Sequence, residues 1–446
     1  MAPEVGTRVQ ATVTTLAGAI EHVGRLLPPA EAGSITIKLE NGYNVSYPES
    51  DVILAPLPTE SQEEVPSRMQ PTSNPESPHL RILHTGGTIA CKVDYRSGAV
   101  LPSIEPEELL ASVPELAGMA NISVDRVSNM FSDDMRPVHW NRMAEASRTA
   151  FEDGASAVII THGTDSLHLS AASMAFAWAL DGGRPPGWIV FVGSQRSADR
   201  GSSDATENLV AAVQWAIDAP PPTGSLGDAA VVVMHSTSDD GECVVLPGPS
   251  CRKMHSSRRD AFQAINAQPI GHVRGPPGAM QIELEPWYAR AREETPLRPI
   301  TSHPRLVDAS LKVARLVGDA FLQPNLVEAA VELSDAVVIA GSGLGHLPIF
   351  DPERDAPENI ELERVLRDAI EAGTPVILTL QTVRGPIDLD VYAKGRRLRE
   401  IGILGHDTSF APETAVIRLL HLMSGTSTTW RDRWSEDLIG EHHPRL

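Results

Sequence analysis

The chain has 446 residues, with 58 acidic against 37 basic side chains and a formal net charge of −21. That overall field argues against a protein that coats nucleic acid, although a local basic patch is compatible with it. The length exceeds what one ordinary core fills and predicts roughly two to four domains. Aromatic residues make up only 4% of the chain, so its cores must rest on Val, Ile, Leu and Ala. Three scattered cysteines, Cys91, Cys243 and Cys251, suit a reducing compartment better than a disulfide framework, and none is spaced like a zinc site. The first residues lack a basic stretch followed by an apolar core, and no apolar run approaches membrane-spanning length; a cytoplasmic location is expected.

In chain order, residues 1–56 are short-patterned and β-rich. Strands are predicted over residues 9–14, 34–39 and 44–47, with Asn41-Gly42 as a two-residue hairpin signal between the last two, which suggests a small barrel. Acidic residues outnumber Arg8, Arg25 and Lys38 there, so a docking or structural role fits better than a grip on phosphates. Residues 57–78 are rich in Pro, Ser and Glu without hydrophobic period and read as an extended linker.

From residue 79 the pattern changes. Apolar runs at 157–160, 189–192, 229–234, 336–340 and 376–380 alternate with helical stretches such as 140–152, 208–217 and 360–372. Strands alternating with helices predict mainly parallel sheets covered on both faces, and the length fits two α/β domains, 79–295 and 305–424. A proline-rich loop over residues 284–304 is the expected connection. Residues 425–446 read as a polar, solvated tail, the adjacent His442 and His443 included, because no further ligands stand at metal spacing.

Two strand ends carry candidate chemistry. Leu80, Ile82 and Leu83 lead into Thr85-Gly86-Gly87-Thr88, and the 157–160 run leads into His162-Gly163-Thr164-Asp165. Glycines let the backbone approach a ligand at the carboxyl edge of a sheet, and threonines there become candidate nucleophiles. The alternative is a tight turn whose hydroxyls bond their own backbone. A threonine hydroxyl needs a group to take its proton; a lysine oriented by a carboxylate can serve, and Lys253 in Arg252-Lys253-Met254-His255 is available. Alone, Lys253 would be a surface charge. Ser250 and Lys253 also fit SxxK, but the SDN and KTG companions of that pattern are missing. The third glycine of Gly341-Ser342-Gly343-Leu344-Gly345 is misplaced for a dinucleotide turn, so this stretch reads as a loop at a domain edge. Lys394, Arg396, Arg397 and Arg399 read as a solvated helix face, with a tRNA or partner contact as the second reading.

Together, TGGTIA at residues 85–90, HGTD at 162–165, VGSQRS at 192–197 and RKMHSSRRDAF at 252–262 resemble the L-asparaginase family. KLENGYN at 38–44, ADRGSSDATENL at 198–209, GSGLGH at 341–346 and DLDVYAKGRR at 388–397 extend the resemblance over nearly the whole chain, toward the amide-hydrolysing subunits of archaeal tRNA-dependent amidotransferases. The resemblance implies two asparaginase-like α/β domains behind the N-terminal barrel. It makes Thr88 the nucleophile, Thr164, Asp165 and Lys253 the second hydroxyl, carboxylate and amine, and Tyr95 the group that polarises the nucleophile. Ser132 would contact the substrate carboxylate and amine; Asp133 stands where many asparaginases carry glutamine. Backbone donors for the oxyanion would come from the Gly86-Gly87 turn or a neighbouring loop. No cofactor or metal is expected in this chain. The implied function is ammonia release from glutamine or asparagine, with ATP and Mg used on an E-type partner subunit that binds Glu-tRNA(Gln), around a homodimeric core. A stand-alone asparaginase and a non-catalytic scaffold binding tRNA or protein are the competing readings.

Overall fold

The computed structural model describes residues 3–15, 18–27, 29, 33–39, 44–57, 77–87, 89, 91–93, 100–102, 113–116, 118–196, 203–425 and 429–442. The small β module at the N-terminus is a five-stranded antiparallel sheet of β1 (Arg8–Thr15), β2 (Gly18–Leu27), β3 (Ser34–Leu39), β4 (Asn44–Pro48) and β5 (Val52–Pro56), in the spatial order β4-β3-β2-β1-β5. Val9, Ala11 and Val13 turn inward from alternate positions of β1, the period of two that a half-buried strand imposes. The expected hairpin is present in its strands, with Lys38 opposite Asn44. Its turn at Asn41-Gly42, like most of the proline-rich linker, lies outside the described residues.

The next unit is an eight-stranded mixed sheet. It comprises β6 (His79–Gly86), β9 (Asn121–Met130), β10 (Ala157–Thr161), β11 (Trp188–Val192), β12 (Val231–His235), β13 (Glu242–Pro247), β16 (Gly271–Arg274) and β17 (Gln281–Leu284), in the order β17-β16-β13-β12-β11-β10-β6-β9. Two short antiparallel pairs stand outside it, β7 (Cys91–Val93) with β8 (Val100–Pro102) and β14 (Cys251–Lys253) with β15 (Phe262–Ala264). The pairs from β9 through β12 are all parallel. β10 and β11 are buried along their whole length, as strands covered on both faces must be.

Alternate residues of the parallel strands feed two cores. Leu83, Val158, Ile160, Phe191 and Val232 face α2 (Leu167–Ala179), with α1 (Pro137–Glu152) on the same side; Leu80, Ile82, Ile159, Val190 and Val231 face α3 (Ala205–Asp218). The connection expected as a loop over 284–304 contains instead a helix, α4 (Pro286–Glu294), which buries Tyr288. A proline at the first helical position sacrifices no hydrogen bond, so Pro286 starts this helix rather than breaking structure.

The last sheet is three parallel strands, β18 (Val313–Val317), β19 (Ala336–Gly341) and β20 (Val376–Leu380), with α5 (Pro324–Leu333), α6 (Pro357–Glu371), α7 (Ala393–Ile401) and α8 (Pro412–Met423). α8 lies against α2, so the first core continues through Ile417 and Leu419 to Val338 and Ile377. The chain end departs from the solvated tail expected of it. Trp434, Leu438, Ile439 and His442 are buried, the Arg418 guanidinium is buried against the Glu441 carboxylate, and Arg298 Nη2 donates to the Leu438 carbonyl at 2.8 Å. Among the described residues, no helix is long and apolar enough to cross a membrane.

Candidate active site

Three adjacent parallel strands end together. His84 of β6 pairs in register with Thr161 of β10, and Thr161 with Val192 of β11, so the segments starting at residues 85, 162 and 193 emerge side by side at one carboxyl edge. Glycine is required where they touch. Gly86 and Gly87 have φ of +105° and +86°, a region strained for any other residue. A Cβ on Gly87 would overlap the Gly163 backbone, and one on Gly86 the Met130 carbonyl. The first two strand ends are therefore packed backbone to backbone. Thr88 and Tyr95 lie outside the described residues.

Lys253, at the end of β14, reaches this edge with its side chain about nine-tenths buried. Its Nζ donates to Thr164 Oγ1 at 2.8 Å and to Asp165 Oδ1 at 2.8 Å. Thr164 is buried, whereas Asp165 faces solvent. The sequence separation between Thr164 and Lys253 thus closes into one hydrogen-bonded group of hydroxyl, amine and carboxylate. Such a group can move a proton: a lysine that has given up one of its protons can accept another from the hydroxyl it touches.

Ser132 and Asp133 sit in a single 3-10 turn after β9, on the other flank of β6. Ser132 is buried; its Oγ accepts from the Ser166 backbone N–H at 3.3 Å, and Ser166 Oγ donates to its carbonyl. That packing places Ser132 against Gly163, while the Asp133 side chain is exposed. Gly87, Ser132, Thr164, Asp165 and Lys253 thus come together.

Two contributors have no role assigned from the sequence. Gln195 Oε1 accepts from Thr164 Oγ1 at 3.4 Å. Asp204, fully buried at the entrance to α3, reads as a helix cap, but its carboxylate turns away to accept from Ser194 Oγ, the Gln195 and Arg196 backbone N–H groups and Asn208 Nδ2, at 3.0–3.1 Å. This carboxylate holds the Gln195 loop in place. The VGSQRS and SSD motifs contain both residues, yet only the fold shows which atoms they hold.

Buried histidines stand in or next to the segments that build the site. His84 Nδ1 meets Thr161 Oγ1 at 2.9 Å, and burial, aided by the Arg126 charge, pulls its pKa down to about 4. Burial lowers His162 and His168 to about 4 as well. These rings are neutral at physiological pH. An open cleft of about 390 Å³ borders Lys253, lined by Asp165, Arg252, Met254, His255 and Glu413. Glu413, in the first turn of α8, receives Arg252 at 3.0 Å and Arg315 of β18 at 3.2 Å, tying the lysine strand to the C-terminal sheet. The arginines of the basic cluster on α7 are engaged by their own surroundings: Arg399 meets Asp390 at 2.6 Å, Arg397 meets Glu363 at 2.8 Å and Arg396 donates to the Asp390 carbonyl at 2.5 Å.

Two family models match the chain, "Asparaginase, N-terminal" over residues 79–286 and "Glutaminase/Asparaginase C-terminal domain" over residues 312–431. The chain is 34% identical over 434 residues to the D-type subunit of glutamyl-tRNA(Gln) amidotransferase from Pyrococcus furiosus, covering 95% of this chain and 91% of that one. The corresponding D-type protein from Methanothermobacter thermautotrophicus is 33% identical over 421 residues, covering 93% and 89%. Among solved structures, the thermostable L-asparaginase from Thermococcus kodakarensis matches with a TM-score of 0.66 at 23% identity, over 82% of this chain and 99% of that one. L-asparaginase I from Vibrio cholerae matches with a TM-score of 0.64 at 21% identity over the same shares. Those two likenesses concern the fold alone.

Proposed function

The chain belongs to the asparaginase family and, within it, to the D-type subunits of glutamyl-tRNA(Gln) amidotransferase; from that premise we propose that it frees ammonia from glutamine or asparagine at the edge formed by β6, β10 and β11. The name of this group implies a multisubunit enzyme. An E-type partner subunit then binds Glu-tRNA(Gln), activates its glutamyl carboxylate with ATP and Mg, and receives the ammonia to make Gln-tRNA(Gln). A homodimer of this chain forms the core of that assembly, in the cytoplasm.

The observation that carries the reading is the lysine held at 2.8 Å from both Thr164 Oγ1 and Asp165 Oδ1, beside the glycine turn that leads to Thr88. In the proposed reaction, Thr88 attacks the side-chain amide carbon, and Tyr95 polarises its hydroxyl. The backbone donors of the Gly86-Gly87 turn stabilise the tetrahedral oxyanion. The C–N bond breaks, a proton is delivered to nitrogen, and ammonia leaves an acyl-enzyme ester. Water then attacks that ester, releases glutamate or aspartate and restores the threonine hydroxyl. Thr164 and Lys253 carry the protons of these two steps, and Asp165 orients the amine. Ser132 binds the α-carboxylate of the substrate, and the Asp133 carboxylate faces its α-ammonium group.

Ammonia release by Thr88→Ala and Lys253→Met tests this assignment. Thr88→Ala is expected to abolish release, and Lys253→Met to lower it by about 10²–10⁴-fold, the range of a lost general acid–base group. Release by either variant at the wild-type rate would remove that residue from the mechanism.

A further inference from the structure

Behind the Gln195 loop, three side chains from three elements converge: Glu207 of α3, His235 at the end of β12 and Asp240 of the loop after it. All three offer ligand atoms within 4.8 Å of one another. His235 is fully buried, and its Nε2 has no hydrogen-bond partner. Glu207 Oε2 lies only 3.2 Å from that nitrogen and Asp240 Oδ1 4.0 Å from it, yet neither makes a hydrogen bond with it. The Glu207 carboxylate therefore stands off the axis of the ring nitrogen, and that of Asp240 lies beyond hydrogen-bond reach.

The ring's protonation follows from its other side. Asn208 Nδ2 donates to the Gly193 carbonyl at 3.0 Å and to Asp204 Oδ2 at 3.1 Å, so Asn208 Oδ1 is the acceptor. It meets His235 Nδ1 at 2.6 Å, which makes Nδ1 the donor. In the neutral ring Nε2 then carries the lone pair, and it lies between two carboxylates. An imidazole fixed by a hydrogen bond at one nitrogen and open at the other is the arrangement of a metal-binding histidine. Ligand atoms on a tetrahedral zinc ion stand about 3.3 Å apart, close to the separation of Nε2 and Glu207 Oε2. The Gly241 backbone N–H holds the other oxygen of Glu207, and the largely buried Arg259 pairs with Asp240 Oδ1, the oxygen that lies 4.0 Å from His235 Nε2, so a bound ion shares Asp240 with this guanidinium.

We propose that Glu207, His235 and Asp240 form a binding site for a divalent transition metal of the zinc class. One nitrogen and two carboxylates favour such an ion over magnesium or calcium, which prefer oxygen alone. The ion ties the 236–241 loop to α3 and β12. Through Asn208 it braces the Asp204 network that holds Gln195 beside Thr164. The site was invisible in the sequence because its ligands come from a helix, a strand and a loop and share no metal-binding spacing.

The test is titration of the full chain, freed of metal by dialysis against EDTA, with zinc chloride in a calorimeter, and with cobalt(II) followed by visible absorption. Wild type is expected to take up one equivalent, to show cobalt bands of mixed nitrogen and oxygen ligation, and to gain thermal stability with zinc. Asp240→Asn and His235→Gln are expected to weaken binding by at least about tenfold and to lose the zinc-dependent rise in melting temperature. Should His235→Gln fail to fold, Asp240→Asn carries the test, because the Asp240 side chain is 77% exposed. Two results would overturn the proposal. No uptake by wild type would leave the cluster as a contact among side chains without a metal. Binding unchanged in Asp240→Asn would place the metal elsewhere.

Discussion

Gly87 is the position where one added carbon has the most immediate consequence. Its φ of +86° and the Gly163 backbone against it leave no room for a Cβ. Gly87→Ala must part β6 from β10 or twist the turn that leads to Thr88. A loss of about 1–3 kcal/mol is expected from the overpacking, with ammonia release falling further because the turn also positions the nucleophile. Urea unfolding of the variant measures the first effect, and an unchanged midpoint would contradict it.

The buried histidines make a second residue-scale prediction. His84, His162 and His168 titrate near 4 in the folded protein and His421 near 3, all lowered first by burial, against about 6.5 in an unfolded chain. Below 6.5 the unfolded state binds these protons and the folded state does not. Their contribution to stability is complete above pH 6.5 and is lost as the pH falls toward 4, with a slope of up to about 1.4 kcal/mol per pH unit for each histidine. Urea midpoints between pH 6.5 and 5, above the ordinary carboxylate range, are expected to fall steadily, whereas a flat profile would show that these rings are not buried as neutral groups.

Much of the site was legible at this scale because glycines and threonines at strand ends have a direct physical reading. Gln195 and Asp204 were not. An aspartate ahead of a helix reads as a cap, and only the fold shows its carboxylate turned to the loop before it.

At the scale of elements, the site depends on a brace from outside its own sheet. β14 is three residues long, so Lys253 owes its position to more than the strand. Glu413 is 8% exposed and forms ion pairs with both Arg252 and Arg315. Glu413→Gln leaves two guanidinium groups without their counter-charge and is expected to cost about 1–3 kcal/mol. It should also reduce ammonia release, because the strand carrying Lys253 loses its anchor; activity and denaturation of one preparation check both, and wild-type values would refute the brace. The continuous apolar strands and amphipathic helices were legible in the sequence through their periods. The Pro286 helix and the chain end were not. Proline marks loops and helix starts alike, and the burial of Trp434, Leu438 and Ile439 is masked by polar neighbours whose charges are paired inside, Glu441 with Arg418 above all.

For the whole molecule, the two kinds of relative differ in a useful way. The L-asparaginase structures cover 82% of this chain, whereas the amidotransferase relatives cover 93–95%. The asparaginase family models match from residue 79 onward, so the N-terminal sheet lies outside them. In the proposed function ammonia release serves a reaction on tRNA in a larger assembly. The most direct measurement is the rate of ammonia release from glutamine and from asparagine by the purified chain, alone and with the partner subunit and Glu-tRNA(Gln). Slow release that rises strongly when both are present is the result predicted; fast release indifferent to partner and tRNA would contradict it and make the chain a free-standing asparaginase.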